Sequence, residues 1–152
     1  MRSMARGIAA LAAFLVVGCT SAQVCTLAAT RHKAASGIQW YTNYAKAQAE
    51  ARRTHKAVMV DFYTDWCGWC KRLDSDVYPK PEVVKAADQF VPTKLNAEQS
   101  GSKLAARYKV DGYPTIVFIN SSGHQIGTIV GYEPPAQFTK DLNKIAHKAH
   151  SR

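Results

Sequence analysis

Cysteine is scarce in this chain: four in 152 residues, at positions 19, 25, 67 and 70. That is too few for a small fold stapled by disulfides, so a hydrophobic core must hold the structure together. An apolar share of 47% excludes a disordered chain and supplies that core. No apolar run reaches the roughly 20 residues that a membrane-spanning helix needs. No internal repeat or low-complexity tract interrupts the sequence, and its length suits one domain. Acidic residues are also few, 11 against 20 Lys and Arg, for a formal charge of +9. The basic excess is scattered over Arg52, Arg53 and Lys56, then Lys140, Lys144 and Lys148. That is the pattern of solvated helix faces, and we expect no nucleic-acid partner.

What is present begins with an address. Arg2 and Arg6 precede a ten-residue apolar stretch from Ile8 to Val17, the layout of an export signal. Ten helical residues rise only about 15 Å, half a bilayer. Val16-Val17-Gly18-Cys19 resembles the bacterial lipobox, which would make Cys19 the lipidated first residue of the mature chain. Thr20 rather than Asp follows, which by that resemblance favours an outer membrane. Cleavage after Thr20-Ser21-Ala22 is the competing reading and would release a soluble protein. Both place the protein outside the cytoplasm. We therefore expect a signal over residues 1–18, a lipidated flexible tether over 19–36 and a domain over 37–152. Cys25 lies in the tether, as an incidental thiol or a regulatory one.

The remainder alternates two periodicities. Trp40, Tyr44, Ala47 and Ala51 share one helical face, which predicts a helix from about Ile38 to Thr54. Ala57 to Tyr63 is a short β-rich apolar run suited to a central strand. A helix is expected from Cys67 to about Asp74, and a short one from Glu82 to Ala87, with Pro81 near its start. Phe90 to Leu95 reads as a strand and Ser100 to Tyr108 as a helix. Thr115 to Asn120 and Gln125 to Val130 read as a hairpin around Ser121-Ser122-Gly123-His124. The last helix opens at Pro134-Pro135 and aligns Phe138, Leu142, Ile145 and Ala149. The expected fold class is α/β, a central mixed sheet with a C-terminal antiparallel hairpin and flanking helices. Strands separated by helices are expected to pair in parallel.

The chemistry concentrates in Trp66-Cys67-Gly68-Trp69-Cys70-Lys71. A structural zinc site usually needs four ligands, and no second Cys-x-x-Cys or matching His pair accompanies this one. A c-type haem site would need His where Lys71 stands. Copper(I) would suit the thiolates but lacks a Met- or His-rich neighbourhood. We expect no metal and no cofactor. Strand, Cys-x-x-Cys and helix in succession fit a redox dithiol. At a helix start, unpaired backbone N–H groups and the positive end of the helix dipole favour the thiolate of Cys67. Cys70, one turn deeper, can then attack Cys67 to resolve a mixed disulfide.

Three separated motifs resemble the thioredoxin superfamily. They are Val58 to Lys71 with the dithiol, Lys94-Leu95-Asn96, and Gly112-Tyr113-Pro114-Thr115 with a later Gly131. Within it the chain is similar to the periplasmic C-terminal domains of thiol:disulfide interchange proteins and related thioredoxin-like lipoproteins. Shared features are Lys56 to Asp61, Tyr63 to Cys67 and Pro81-Glu82-Val83. Trp69 departs from the small residue or proline common between the cysteines. The resemblance implies a protein-disulfide reductase of the bacterial envelope, monomeric, re-reduced by a donor such as a membrane thiol:disulfide interchange protein. An oxidase or isomerase is the alternative direction. It implies Cys67 and Cys70 as the redox pair, Asp61 as proton acceptor for Cys70, and Lys94 as partner of Asp61. Trp66, Gly68, Trp69, Tyr113 and a cis Pro114 would contact disulfide-containing envelope proteins. Alternation alone leaves open which face Asp61 takes. Pro114 could also be a plain turn proline, and the two tryptophans could serve local packing.

Overall fold

The computed structural model describes residues 37–150. The expected signal and tether, with Cys19 and Cys25, lie outside the described residues. Nine elements follow in the order α1 (Tyr44–Thr54), β1 (Ala57–Tyr63), α2 (Gly68–Asp76), α3 (Pro81–Ala87), β2 (Phe90–Asn96), α4 (Ser102–Arg107), β3 (Thr115–Ile119), β4 (Gln125–Val130) and α5 (Pro135–His150). The four strands form one sheet in the order β2-β1-β3-β4. No helix among the described residues is long and apolar enough to cross a membrane.

The sheet is mixed, and the expectation of parallel pairing across every helix needs correction. β1 and β2 are parallel, with Asp61 opposite Lys94. β3 runs antiparallel to β1, with Asp61 opposite Ile116, although α4 separates it from β2. The reason is length. A six-residue helix rises about 9 Å, whereas a seven-residue strand spans about 23 Å, so α4 cannot carry the chain back to the far end of the sheet. The chain re-enters at the end where β2 left it, and β3 descends. The β3–β4 hairpin adds the antiparallel edge.

The first helix also differs. It begins at Tyr44, capped by the Asn43 side chain, which accepts from the Lys46 N–H. Upstream, the Tyr41 backbone pairs with β2 through Tyr41 N–H to Pro92 O and Lys94 N–H to Tyr41 O. Those bonds hold residue 41 extended, which excludes Trp40 from the helix. Ala47 and Ala51 are buried on it as the periodicity predicts.

Both sheet faces carry a core. Val58, Val60 and Phe62 of β1 pack with Ala47 and Ala51 of α1, Val117 and Ile119 of β3 and Ala105 of α4. Ala57 and Met59, on the opposite face, pack with Leu73 of α2, Val83 of α3, and Phe138 and Leu142 of α5. Strand side chains alternate, so Asp61 belongs to the Met59 face and points toward the layer that contains α2.

Candidate functional site

The site assembles where β1 ends and α2 begins. Cys67 is the N-cap of α2: its Sγ accepts the backbone N–H of Cys70 at 3.1 Å. A sulfur in this place meets the N–H groups that no helical carbonyl satisfies. Cys67 and Cys70 form a disulfide, with Cα atoms 5.3 Å apart. Three-residue spacing in a first helical turn places both on one side, which is why the bridge closes without disturbing the helix. Both cysteines are buried, at 4% and 3% exposure, while the neighbouring Trp66 and Trp69 are 67% and 54% exposed. The sulfurs therefore sit in the floor of a surface whose walls are aromatic.

One wall is Trp66. Its indole N–H donates to Glu98 Oε1 at 3.0 Å, and its ring meets Tyr113 edge-on with centroids 6.0 Å apart. Gln99 donates to Asp65 on the same side. The other wall is Trp69, whose ring lies 5.6 Å from that of Tyr132. The Tyr113–Pro114 peptide is cis, and Pro114 is buried. Pro114 O accepts the N–H of Gly131, which ties the proline loop to the end of β4. Gly131 has φ +83°, a left-handed conformation that a side chain would strain. Gly68 is exposed, with open space where a Cβ would stand, so no steric contact there demands glycine.

Beneath the dithiol layer Asp61 is buried at 1% exposure. Burial pushes its carboxyl up to about 6, and the Lys94 ammonium opposes that rise. Lys94 Nζ stands 3.6 Å from Asp61 Oδ2 and also pairs with Asp74 of α2. Its side chain is 17% exposed and lies against the rings of Trp40, Tyr63 and Tyr78, at 5.2–5.7 Å from their centroids. Tyr78 is buried, and burial first and the Asp61 charge second hold its hydroxyl protonated. Its hydroxyl faces Asp61 as a donor without reaching well-formed hydrogen-bond geometry, and Asp61 Oδ1 has no partner of good geometry either. The pair is thus a buried acid with one cation, one phenol and a spare lone pair.

Trp66 and Trp69 stand exposed beside the buried Cys67–Cys70 bridge in sequence, Tyr113 next to the buried Pro114 meets Trp66, and Asp61 and Lys94 pair with each other. Sequence reasoning missed Trp40, Tyr63, Asp74 and Tyr78, which enclose Lys94, and Glu98, Arg72 and Tyr132, which brace the two tryptophans. Asp74 alone carried a local signal: positions 67, 70 and 74 fall at i, i+3 and i+7 on one helix face. The others converge from separate segments. Among the described residues no group of three or more His, Cys, Asp or Glu is placed to hold a metal ion.

Comparison with known proteins places this geometry. The pattern of the thioredoxin-like domain matches residues 44–146. The disulfide bond reductase DsbH of Chlamydia pneumoniae is 32% identical over 117 residues, covering 69% of this chain and 69% of that protein. The thiol:disulfide interchange protein DsbD of Tatumella citrea is 32% identical over 95 residues, 59% of this chain. The chain spans only 16% of DsbD, so it matches one part of that much longer protein. A thioredoxin from Thermus thermophilus superposes with a TM-score of 0.68 at 31% identity, over 75% of this chain and 91% of that one. A thioredoxin-like domain over residues 44–146, a Cys67–Cys70 pair at the start of α2 and relatives named for disulfide reduction and exchange settle the family: the chain belongs to the thioredoxin-like proteins and is a thiol–disulfide oxidoreductase.

Proposed function

We propose that the protein is a protein-disulfide reductase of the bacterial cell envelope. The observation that carries this reading is Cys67 at the cap of α2, joined to Cys70 and facing an exposed aromatic surface. In the reduced protein the Cys67 thiolate attacks one sulfur of a substrate disulfide. A bond forms between Cys67 and that sulfur, and the second substrate sulfur leaves as a thiolate and takes a proton. Cys70 gives its proton to the Asp61 carboxylate and attacks Cys67 Sγ. The substrate leaves as a dithiol, and the Cys67–Cys70 disulfide remains, two electrons poorer. A donor dithiol reverses the exchange and restores the protein; a membrane thiol:disulfide interchange protein suits that role.

Lys94 keeps Asp61 able to ionise despite its burial, and so keeps it a usable base. Trp66, Gly68, Trp69, Tyr113 and Pro114 receive an extended substrate segment, with the Tyr113 backbone offered for strand-like pairing. Support for the envelope location comes from the export signal over residues 1–18 and from Gly18-Cys19, which would anchor the chain by lipid with 19–36 as tether and 37–152 as working domain. The mass of the mature N-terminus checks the anchor: a diacylated Cys19 is expected, and an unmodified Gln23 start contradicts it.

Insulin-disulfide reduction with dithiothreitol as donor tests the activity. The wild type is expected to precipitate insulin chains well above the dithiothreitol background, and Cys67→Ser to fall to background. Cys70→Ser is expected to retain covalent substrate adducts that a reductant releases. An inactive wild type, or a Cys67→Ser variant with full activity, overturns the reading.

A further inference from the structure

We propose that Arg72 is a specificity-determining residue of this site, which favours substrate disulfides whose cysteine has an acidic side chain beside it. The inference rests on the reductase reading and adds a substrate class to it. Arg72 follows Trp69 by one helical turn on α2, so its side chain lies along the face of the Trp69 wall. Its guanidinium carbon is 5.5 Å from the Trp69 ring centroid and 5.5 Å from that of Tyr132. Both distances fall within the range in which a cation is held by a π face. Tyr132 follows Gly131, whose N–H is bonded to Pro114 O, so the second ring is tied to the proline loop whose Tyr113 meets Trp66. Two rings from separate segments therefore hold one cation, and one of them, Trp69, stands between the two cysteines in sequence.

That cation is free to take a further partner. Its side chain is 57% exposed. Its ion pair within the domain is a single contact, Nε to Asp76 Oδ2 at 3.3 Å, with the acid 45% exposed. Exposed pairs of this kind contribute little and are easily exchanged. The terminal amino groups, the fork that grips a carboxylate through two parallel bonds, make no hydrogen bond among the described residues. The opposite wall has the reverse character: Trp66 and Tyr113 stand with Glu98 and Asp65. A segment laid across the sulfurs thus meets a cation on its Trp69 side and carboxylates on its Trp66 side. An Asp or Glu one or two residues from the attacked cysteine can reach the guanidinium while the rings cover its apolar neighbours.

Peptides with an intramolecular disulfide, identical except for Asp, Asn or Lys beside the cysteine, test this on the full-length protein through the ratio of kcat/KM values. The wild type is expected to prefer the Asp peptide over the Lys peptide by about threefold to fivefold at low ionic strength, and less at high salt. Arg72→Gln is expected to lose the preference, Arg72→Lys to keep part of it and Arg72→Glu to reverse it. Lys71→Gln, which alters a cation of the same helix outside the aromatic stack, is expected to keep it. Because each variant is read as a ratio between its own substrates, a general loss of stability or rate does not mimic the effect. Equal reduction of all three peptides by the wild type, or an unchanged ratio in Arg72→Gln, overturns the inference and leaves the reductase reading standing. Failure to reduce any peptide overturns both.

Discussion

Asp61 couples the stability of the domain to pH. Its carboxyl is pushed from an ordinary value near 3.8 up to about 6, first by burial and against the pull of Lys94. Below about pH 3 the group is protonated in folded and unfolded chains alike. As pH rises from 4 to 6 the unfolded chain releases its proton first, so stability falls across that window and levels off above it. Asp61→Asn keeps the shape and removes the charge. Unfolding of the oxidised protein in urea is expected to show little gain for this variant at pH 4 and a gain of about 3 kcal/mol at pH 8. An equal gain at both pH values would contradict the account of a buried, titrating Asp61. The acid itself was legible as a charge within an apolar run, but not its surroundings. Trp40, Tyr63 and Tyr78 have no sequence relation to Lys94; the ion is enclosed only once β1, β2 and the residues around α2 are packed.

At the level of elements, local chemistry wrote most boundaries. Pro81 at the first turn of α3, the alternation of β4 and the apolar stripe of α5 all act within a few residues, so the sequence shows them directly. Tertiary hydrogen bonds overrode it at Tyr41, and the reach of a six-residue helix overrode it at β3. The start of α4 carries a sharp steric constraint of the same kind. A Cβ on Gly101 would stand 2.8 Å from Asn96 O and 2.9 Å from Leu95 Cβ, where backbone cannot retreat cheaply. The Gly101 N–H also donates to Asn96 O at 2.8 Å, fixing that approach. Gly101→Ala is therefore expected to destabilise the domain by about 1–3 kcal/mol in urea unfolding. A stability equal to wild type would show that this turn relaxes freely.

On the scale of the whole molecule, one sheet serves two cores and presents its chemistry at a single end. The α5 face anchors the layer that contains Asp61: Phe138 is fully buried and meets Tyr78 edge-on, with centroids 5.7 Å apart. Phe138→Ala is expected to cost about 3–4 kcal/mol, a large share of the stability of a small domain, and to lower the urea midpoint accordingly. A loss below 1 kcal/mol would mean that α5 is not integral to the core. The four cysteines of the chain divide by place, with Cys67 and Cys70 forming the bridge and Cys19 and Cys25 lying upstream of the described fold. The central claim is that this pair, in its dithiol form, works as a reductant. Equilibration of the Cys67–Cys70 pair against glutathione measures it most directly, since about 30 mV shifts a two-electron equilibrium tenfold. The account predicts a potential at the reducing end of the family's range, near the −270 mV of thioredoxin. A value near −120 mV, the range of a strong oxidant, would contradict it.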